Sequence, residues 1–185
     1  MEQGNLLAFP RTTWETKYLE DTSLRRLVLE YYDREHVAIQ RYLLFLSVNA
    51  ETAQDIVQES FLKLHEHLLA NGDRTNLRAW LYRVAHNLGR NAQMAFHSVR
   101  TDSLDVDAAR DVCATAPSPE QELLEQERMT RLRRAMDDLS TAQKEALVLR
   151  AEGLKYRGIA EVLNVSVSTV GENVQRGLEK LKEIL

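Results

Sequence analysis

Apolar residues recur along this chain at three- and four-residue spacing, and no stretch sustains the two-residue alternation of a half-buried strand. That periodicity predicts an all-α protein. A first helix is expected over residues 21–33, with Leu24, Leu27, Val28 and Tyr31 on one face, and a second over 35–47, offering Val37, Ile39, Tyr42, Leu43 and Phe45. Asn49 and Glu51 break the pattern and open a third helix over 51–70, whose stripe is Ile56, Val57, Phe61, Leu64 and Leu68. Gly72 suits the left-handed residue that ends such a helix. Thr75 or Asn76 can cap a fourth helix over 76–97, striped by Leu77, Trp80, Leu81, Val84 and Leu88. Residues 1–20 are weakly patterned, hold Pro10 and read as an N-terminal arm.

Residues 98–118 interrupt the helices. Asp102, Asp105, Asp107 and Asp111 alternate there with small residues, and Pro117 and Pro119 follow. Such a stretch reads as an acidic, flexible, solvated linker. It divides the chain into two small helical domains, 21–97 and 119–185. The second begins with a helix over 119–138, with Leu123, Leu124, Met129, Leu132 and Met136 inward. Ser140-Thr141-Ala142-Gln143 fits a capping box, in which Ser140 and Gln143 satisfy each other's free backbone amides. The helix behind it runs to Ala151, and Gly153 stops it. A short helix over Tyr156–Leu163, a turn at Asn164-Val165 and a long helix from Ser168 to Ile184 complete the chain.

The net charge of −4 hides unlike parts. Residues 74–100 carry Arg74, Arg78, Arg83, Arg90 and Arg100 and no acid, whereas 101–127 are strongly acidic. Cys113 is the single cysteine, so an intrachain disulfide is excluded and a reduced compartment is the natural setting. The apolar runs are too short to span a bilayer and the N-terminus lacks a signal-peptide core, so a cytoplasmic location is expected. His65 and His67 stand two apart on a helix, point in different directions and make a poor metal pair. No nucleophile setting or phosphate-binding loop is visible, and the reading is of no enzyme, no cofactor and no metal.

The most specific local signal is a helix-turn-helix over 153–184. Ile159, Ala160 and Leu163 form the inner face of its first helix, and Ala160 is small where the helices must approach. Val165 and Val167 are expected to plug the turn, with Val170 and Val174 facing back from the second helix. The free N-terminal half of that helix can then enter a major groove.

The run Tyr156-Arg157-Gly158-Ile159-Ala160-Glu161-Val162-Leu163-Asn164-Val165-Ser166-Val167-Ser168-Thr169-Val170 resembles region 4 of bacterial sigma factors of the extracytoplasmic-function (ECF) group. Ala53–Leu64 resembles region 2.2, and Leu77–Leu88 resembles regions 2.3 and 2.4. The matches stand in the family's order over 22–97 and 119–185. The resemblance implies core RNA polymerase as a partner, docked on Asp55, Gln58, Glu59 and Leu62. It also implies promoter DNA. The melted −10 element would be held by Asn71, Asp73, Arg74, Arg78, Tyr82, Arg83, His86, Asn87, Arg90 and Asn91, with loop 71–76 cradling a flipped base. Trp80 and Tyr82 are candidates to stack on bases. Duplex −35 DNA would meet Lys155, Tyr156, Arg157, Ser166, Ser168, Thr169, Glu172, Asn173, Arg176 and Lys180. An anti-sigma factor is a further partner the family suggests.

The sequence departs from the family where Gly171 and Glu172 replace a basic residue and a serine. It departs again at Gly89–Met94, which is less basic than usual. The implied function is a factor that recruits core polymerase to promoters and helps open them. The rivals are a stand-alone helix-turn-helix regulator and a sigma-like protein that only sequesters a partner.

Overall fold

The computed structural model describes residues 13–99, 130–131 and 135–184. Six helices account for nearly all of them: α1 (Thr13–Phe45), α2 (Ala50–Leu69), α3 (Leu77–Val99), α4 (Thr141–Ala151), α5 (Tyr156–Leu163) and α6 (Val167–Ile184). Residues 130–131 and 135–137 are also helical, within the helix expected over 119–138, and there is no strand among the described residues. The linker lies outside them, apart from residues 98 and 99, which close α3.

The break expected near Asp33 does not occur. α1 runs unbroken through it and takes in residues 13–20, which the sequence placed in an arm. Neither Pro nor Gly lies in this span, and side chains four apart reinforce it. The rings of Tyr32 and His36 stack at 4.6 Å, and Arg26 lies 3.9 Å from Glu30. Ile39, Tyr42 and Leu43 are fully buried, but Val37 points outward.

Four helix ends carry a left-handed residue that lets amides reach back to free carbonyls, Asn164 after α5 among them. Gly153 does this after α4, at φ 86°, with Leu154 N donating to Leu149 O at 3.1 Å. After α2 the left-handed residue is Asn71, not Gly72; Gly72 N donates to His67 O at 2.8 Å. Gly72 is required for another reason: a Cβ there would fall 2.1 Å from the His67 ring. After α1 the role falls to Ser47, at φ 61°.

α1, α2 and α3 form a three-helix bundle around Tyr42, Leu43, Leu64, Leu68 and Leu81. α4, α5 and α6 pack around Leu149, Ile159, Val170 and Val174. The capping box holds, with Gln143 N donating to Ser140 Oγ and Ser140 N donating to Gln143 Oε1. Val162 is buried alongside Ile159 and Ala160. Val165 and Val167 do not plug the turn; both are exposed, because Asn164 turns left-handed at φ 53° and carries the chain outward. Ser166 instead caps α6, its Oγ accepting from Thr169 N at 3.0 Å.

The two halves are packed together. α5 lies along α3, and Gly158 approaches Ala79 so closely that a Cβ at 158 would stand 3.1 Å from the Ala79 Cβ. The buried apolar residues of both halves form one continuous cluster. The two helical halves read from the sequence pack on each other in this structure.

Candidate nucleic-acid interface

α1 and α2 leave an apolar groove of about 510 Å³ between them, lined by Leu29, Tyr32, Gln58, Phe61 and Leu62 among others. Phe61 is buried and meets Tyr32 edge-on at 5.0 Å, so the groove floor is fixed by aromatic packing. Leu62 and Leu29 stand on its rim, 66% and 61% exposed. Asp55, Gln58 and Glu59 are exposed on the same helix, and Glu59 lies 3.3 Å from Lys63. The sequence-predicted docking residues thus share one accessible face. Leu29 and Tyr32, on the facing helix, were not singled out. Their signal was two large apolar residues outside the buried stripe of α1.

The loop from Asn71 to Asn76 is built from side-chain bonds. Asp73 accepts from Thr75 N at 2.9 Å and from the Thr75 hydroxyl at 2.8 Å, and these bonds hold its carboxyl below the usual range. His67 Nε2 donates to Asp73 O at 3.0 Å, while its ring stacks on Trp80 at 4.6 Å. Trp80 is therefore half-buried beneath the loop. Arg74 and Asn71 remain exposed. Asn76 does not cap α3 with its side chain; its Nδ2 donates across to Glu161 Oε2 at 3.0 Å.

α3 departs most from expectation. Its arginines were read as having no carboxylate nearby, yet Arg78 Nε donates to Glu35 Oε2 at 2.9 Å and Arg90 lies 3.7 Å from Glu145. Arg78 also donates to Glu152 O at 2.6 Å. Burial opposes its charge, but the hydrogen bond and charge of Glu35 hold its pKa above the ordinary value. Tyr82 is fully buried beside Tyr42, with Arg78 over its ring at 5.7 Å, so it offers no face to a base in this arrangement. His86 is half-buried, with Nδ1 2.7 Å from the Tyr42 hydroxyl. Burial, and secondarily the charge of Arg90, push it down to about 4, so it is neutral near pH 7 and adds no cation. Arg83, Asn87 and Asn91 are exposed, and Arg83 makes no ion pair among the described residues. The carboxylates were missed because the pairing is long-range. A partial signal existed: Glu35 and Glu145 fall four residues before buried Ile39 and Leu149, on core-facing stripes.

On the helix-turn-helix, Lys155, Tyr156, Arg157, Ser168, Thr169, Glu172 and Arg176 are exposed, and Asn173 is half-exposed. Ser166 is exposed, but its hydroxyl is bound to Ser168 and Thr169 at 2.7 and 2.8 Å. Tyr156 lies under Arg150 at 5.5 Å, and Lys180 Nζ donates to Asp138 O at 3.2 Å. Glu172 faces solvent and pairs with Arg176 at 3.3 Å, and Arg157 pairs with Glu161 at 3.7 Å. The face is polar, with its cations partly neutralised by neighbours four residues away.

The Sigma-70 region 2 model matches residues 31–93, and the Sigma-70 region 4 model matches residues 129–181. The ECF sigma factor EcfG of Rhodopseudomonas palustris is 30% identical over 149 residues, spanning 80% of this chain and 79% of EcfG. The ECF sigma factor SigE of Mycolicibacterium smegmatis is 31% identical over 160 residues, which are 86% of this chain but 60% of SigE. The sigma factor RpoE of Bartonella quintana, solved in complex with the anti-sigma factor NepR, shares the fold: TM-score 0.63 at 22% identity, over 84% of this chain and 94% of that one. The chain belongs to the ECF RNA polymerase sigma factors.

Proposed function

We propose that this chain binds core RNA polymerase through the α1–α2 groove and directs it to promoters. Asp55, Gln58, Glu59 and Leu62 supply the polar and apolar contacts of that docking. Arg74, Arg78, Arg83, Asn87, Arg90 and Asn91, with the loop from Asn71 to Asn76, hold the melted −10 strand; their phosphate contacts weaken with salt. Lys155, Tyr156, Arg157, Ser168, Thr169, Asn173 and Arg176 meet the −35 duplex. The chain catalyses no reaction of its own and works beside polymerase in the cytoplasm. No described helix is long and apolar enough to cross a membrane. An anti-sigma factor is a fitting further partner; RpoE was solved in complex with one, NepR.

One observation carries the reading: a fixed apolar groove flanked by an exposed acidic and amide face, built from α1 and α2 and not from the helix-turn-helix. A stand-alone regulator has no use for that groove. Co-purification with core polymerase tests it. The wild-type chain is expected to be retained and Leu62→Asp to be lost at equal folded fraction; equal retention of both would refute the docking face.

A further inference from the structure

α6 packs on α4 and α5 through a buried stripe of Val170, Val174 and Gly177. Gly177 approaches Leu147 of α4, and Gly171 faces Tyr156 at the start of α5. At about 100° per residue, Glu172 stands about 165° around the helix from the middle of that stripe. It therefore points straight away from the core, and its side chain is 62% exposed. Ser166 caps the helix, so Glu172 lies in its second turn, within the N-terminal half that a helix-turn-helix presents to base edges. A helix lying in a groove turns its outermost line to the bases and its flanks to the phosphate walls. Thr169, Asn173 and Arg176 lie to one side of that line, and Arg176 reaches the Glu172 carboxylate at 3.3 Å. The carboxylate is thus placed to meet base edges before phosphates.

An ionised carboxylate only accepts hydrogen bonds. The major groove offers it two kinds of donor, the N4 amino group of cytosine and the N6 amino group of adenine; guanine presents N7 and O6, and thymine O4, all acceptors. Adenine sets its acceptor N7 beside N6, against the second carboxylate oxygen, whereas cytosine has no acceptor beside N4 on its own edge. We propose that Glu172 is the specificity-determining residue of the recognition helix and selects a cytosine in the −35 duplex by accepting from its N4 amino group. Arg176 is its positioning residue: it holds the carboxylate from the flank and offsets its repulsion of nearby phosphates. The selection is made where this chain departs from its family, at Gly171 and Glu172, and so belongs to this chain. This rests on the sigma-factor reading of the helix-turn-helix.

The test uses the full chain with core polymerase. A promoter fragment of the source genome bound by that pair is randomised across its upstream element, and the bound templates are sequenced. The wild type is expected to favour cytosine at one position, roughly tenfold over the other bases. Glu172→Gln places an amide there, which pairs with adenine N6 and N7 together, and is expected to switch that one position to adenine. Glu172→Ala is expected to leave the position unselected, and the other selected positions should stay as they are in both variants. This switch is separate from the gain in affinity that loss of a negative charge brings to every duplex alike. Glu172 is exposed, so neither variant is expected to disturb folding, which circular dichroism checks. The same base pattern in all three proteins, or a wild type with no cytosine at the position the variants alter, overturns the inference and leaves the sigma-factor reading standing. If the wild-type chain brings core polymerase to no promoter, the sigma-factor reading falls and the inference falls with it.

Discussion

Replacing Gly171 by alanine is expected to stabilise the protein. Gly171 lies in the second turn of α6, and a Cβ there would meet only Tyr156 Cε2, at an ordinary 3.9 Å. Nothing must move, so the change carries the difference in helix propensity, about 1 kcal/mol, most of it lost freedom in the unfolded chain. For a domain of this size that raises Tm by about 2–4 °C. Gly177, two turns further along the same helix, supplies the control. Its Cβ would stand 2.7 Å from Leu147 Cδ1 and 3.3 Å from Leu147 Cγ. The same propensity gain is then opposed by overpacking of about 1–3 kcal/mol, and Gly177→Ala is expected to lower Tm. Thermal unfolding followed by circular dichroism reads both. If the two substitutions shift Tm equally in the same direction, the packing of α6 on α4 is not as described. If Gly171→Ala lowers Tm, position 171 is crowded or not helical.

Acid should destabilise the protein through His86. Its folded pKa is about 4 against an ordinary 6.5, so the unfolded chain binds the proton first. Stability from this group is complete above pH 6.5 and is lost as pH falls towards 4. Glu145, whose carboxyl burial pushes up, works in the opposite direction. Urea midpoints at pH 7.5 and pH 5 should therefore converge for His86→Gln relative to wild type. Leu62→Ala, at a side chain 66% exposed, is expected to change stability by less than about 0.5 kcal/mol yet weaken polymerase binding about tenfold; equal loss of both would mean that Leu62 supports the fold. Glu172→Gln frees Arg176 from its 3.3 Å partner. Duplex DNA should then bind more tightly, with the salt slope steeper by about 1.

What the sequence made legible was local. The capping box at Ser140, the stop at Gly153 and the short helix Tyr156–Leu163 depend on residues within a turn of one another, and each stands where its pattern put it. The continuity of α1 was not legible. Asp33 and Arg34 look like a polar interruption, yet no Pro or Gly stands there and the helix runs on through both. The exposure of Val165 and Val167 was hidden because apolar character gives no direction where a left-handed Asn164 reorients the chain. The candidate site divides in the same way. Asp55, Gln58, Glu59 and Leu62 could be grouped because helical spacing alone puts them on one face. The partners of Arg78 and Arg90 could not, because Glu152 and Glu145 lie far along the chain, in the other half of the molecule. Tyr82 was ambiguous for a related reason: an aromatic on a basic helix serves a core or a base, and only the position of Tyr42 decides between them.

The central claim, that this chain gives core polymerase its promoter, is tested most directly by run-off transcription. Purified core polymerase, with and without the chain, is supplied with a library of the source genome's promoter regions, and the transcript ends are sequenced. The account predicts discrete starts that appear only with the chain and share an upstream pair of sequence elements. These starts should be lost with Leu62→Asp and weakened by Arg83→Ala. Core polymerase that is bound by the chain but initiates nowhere new would contradict it, and would leave a protein that only sequesters its partner.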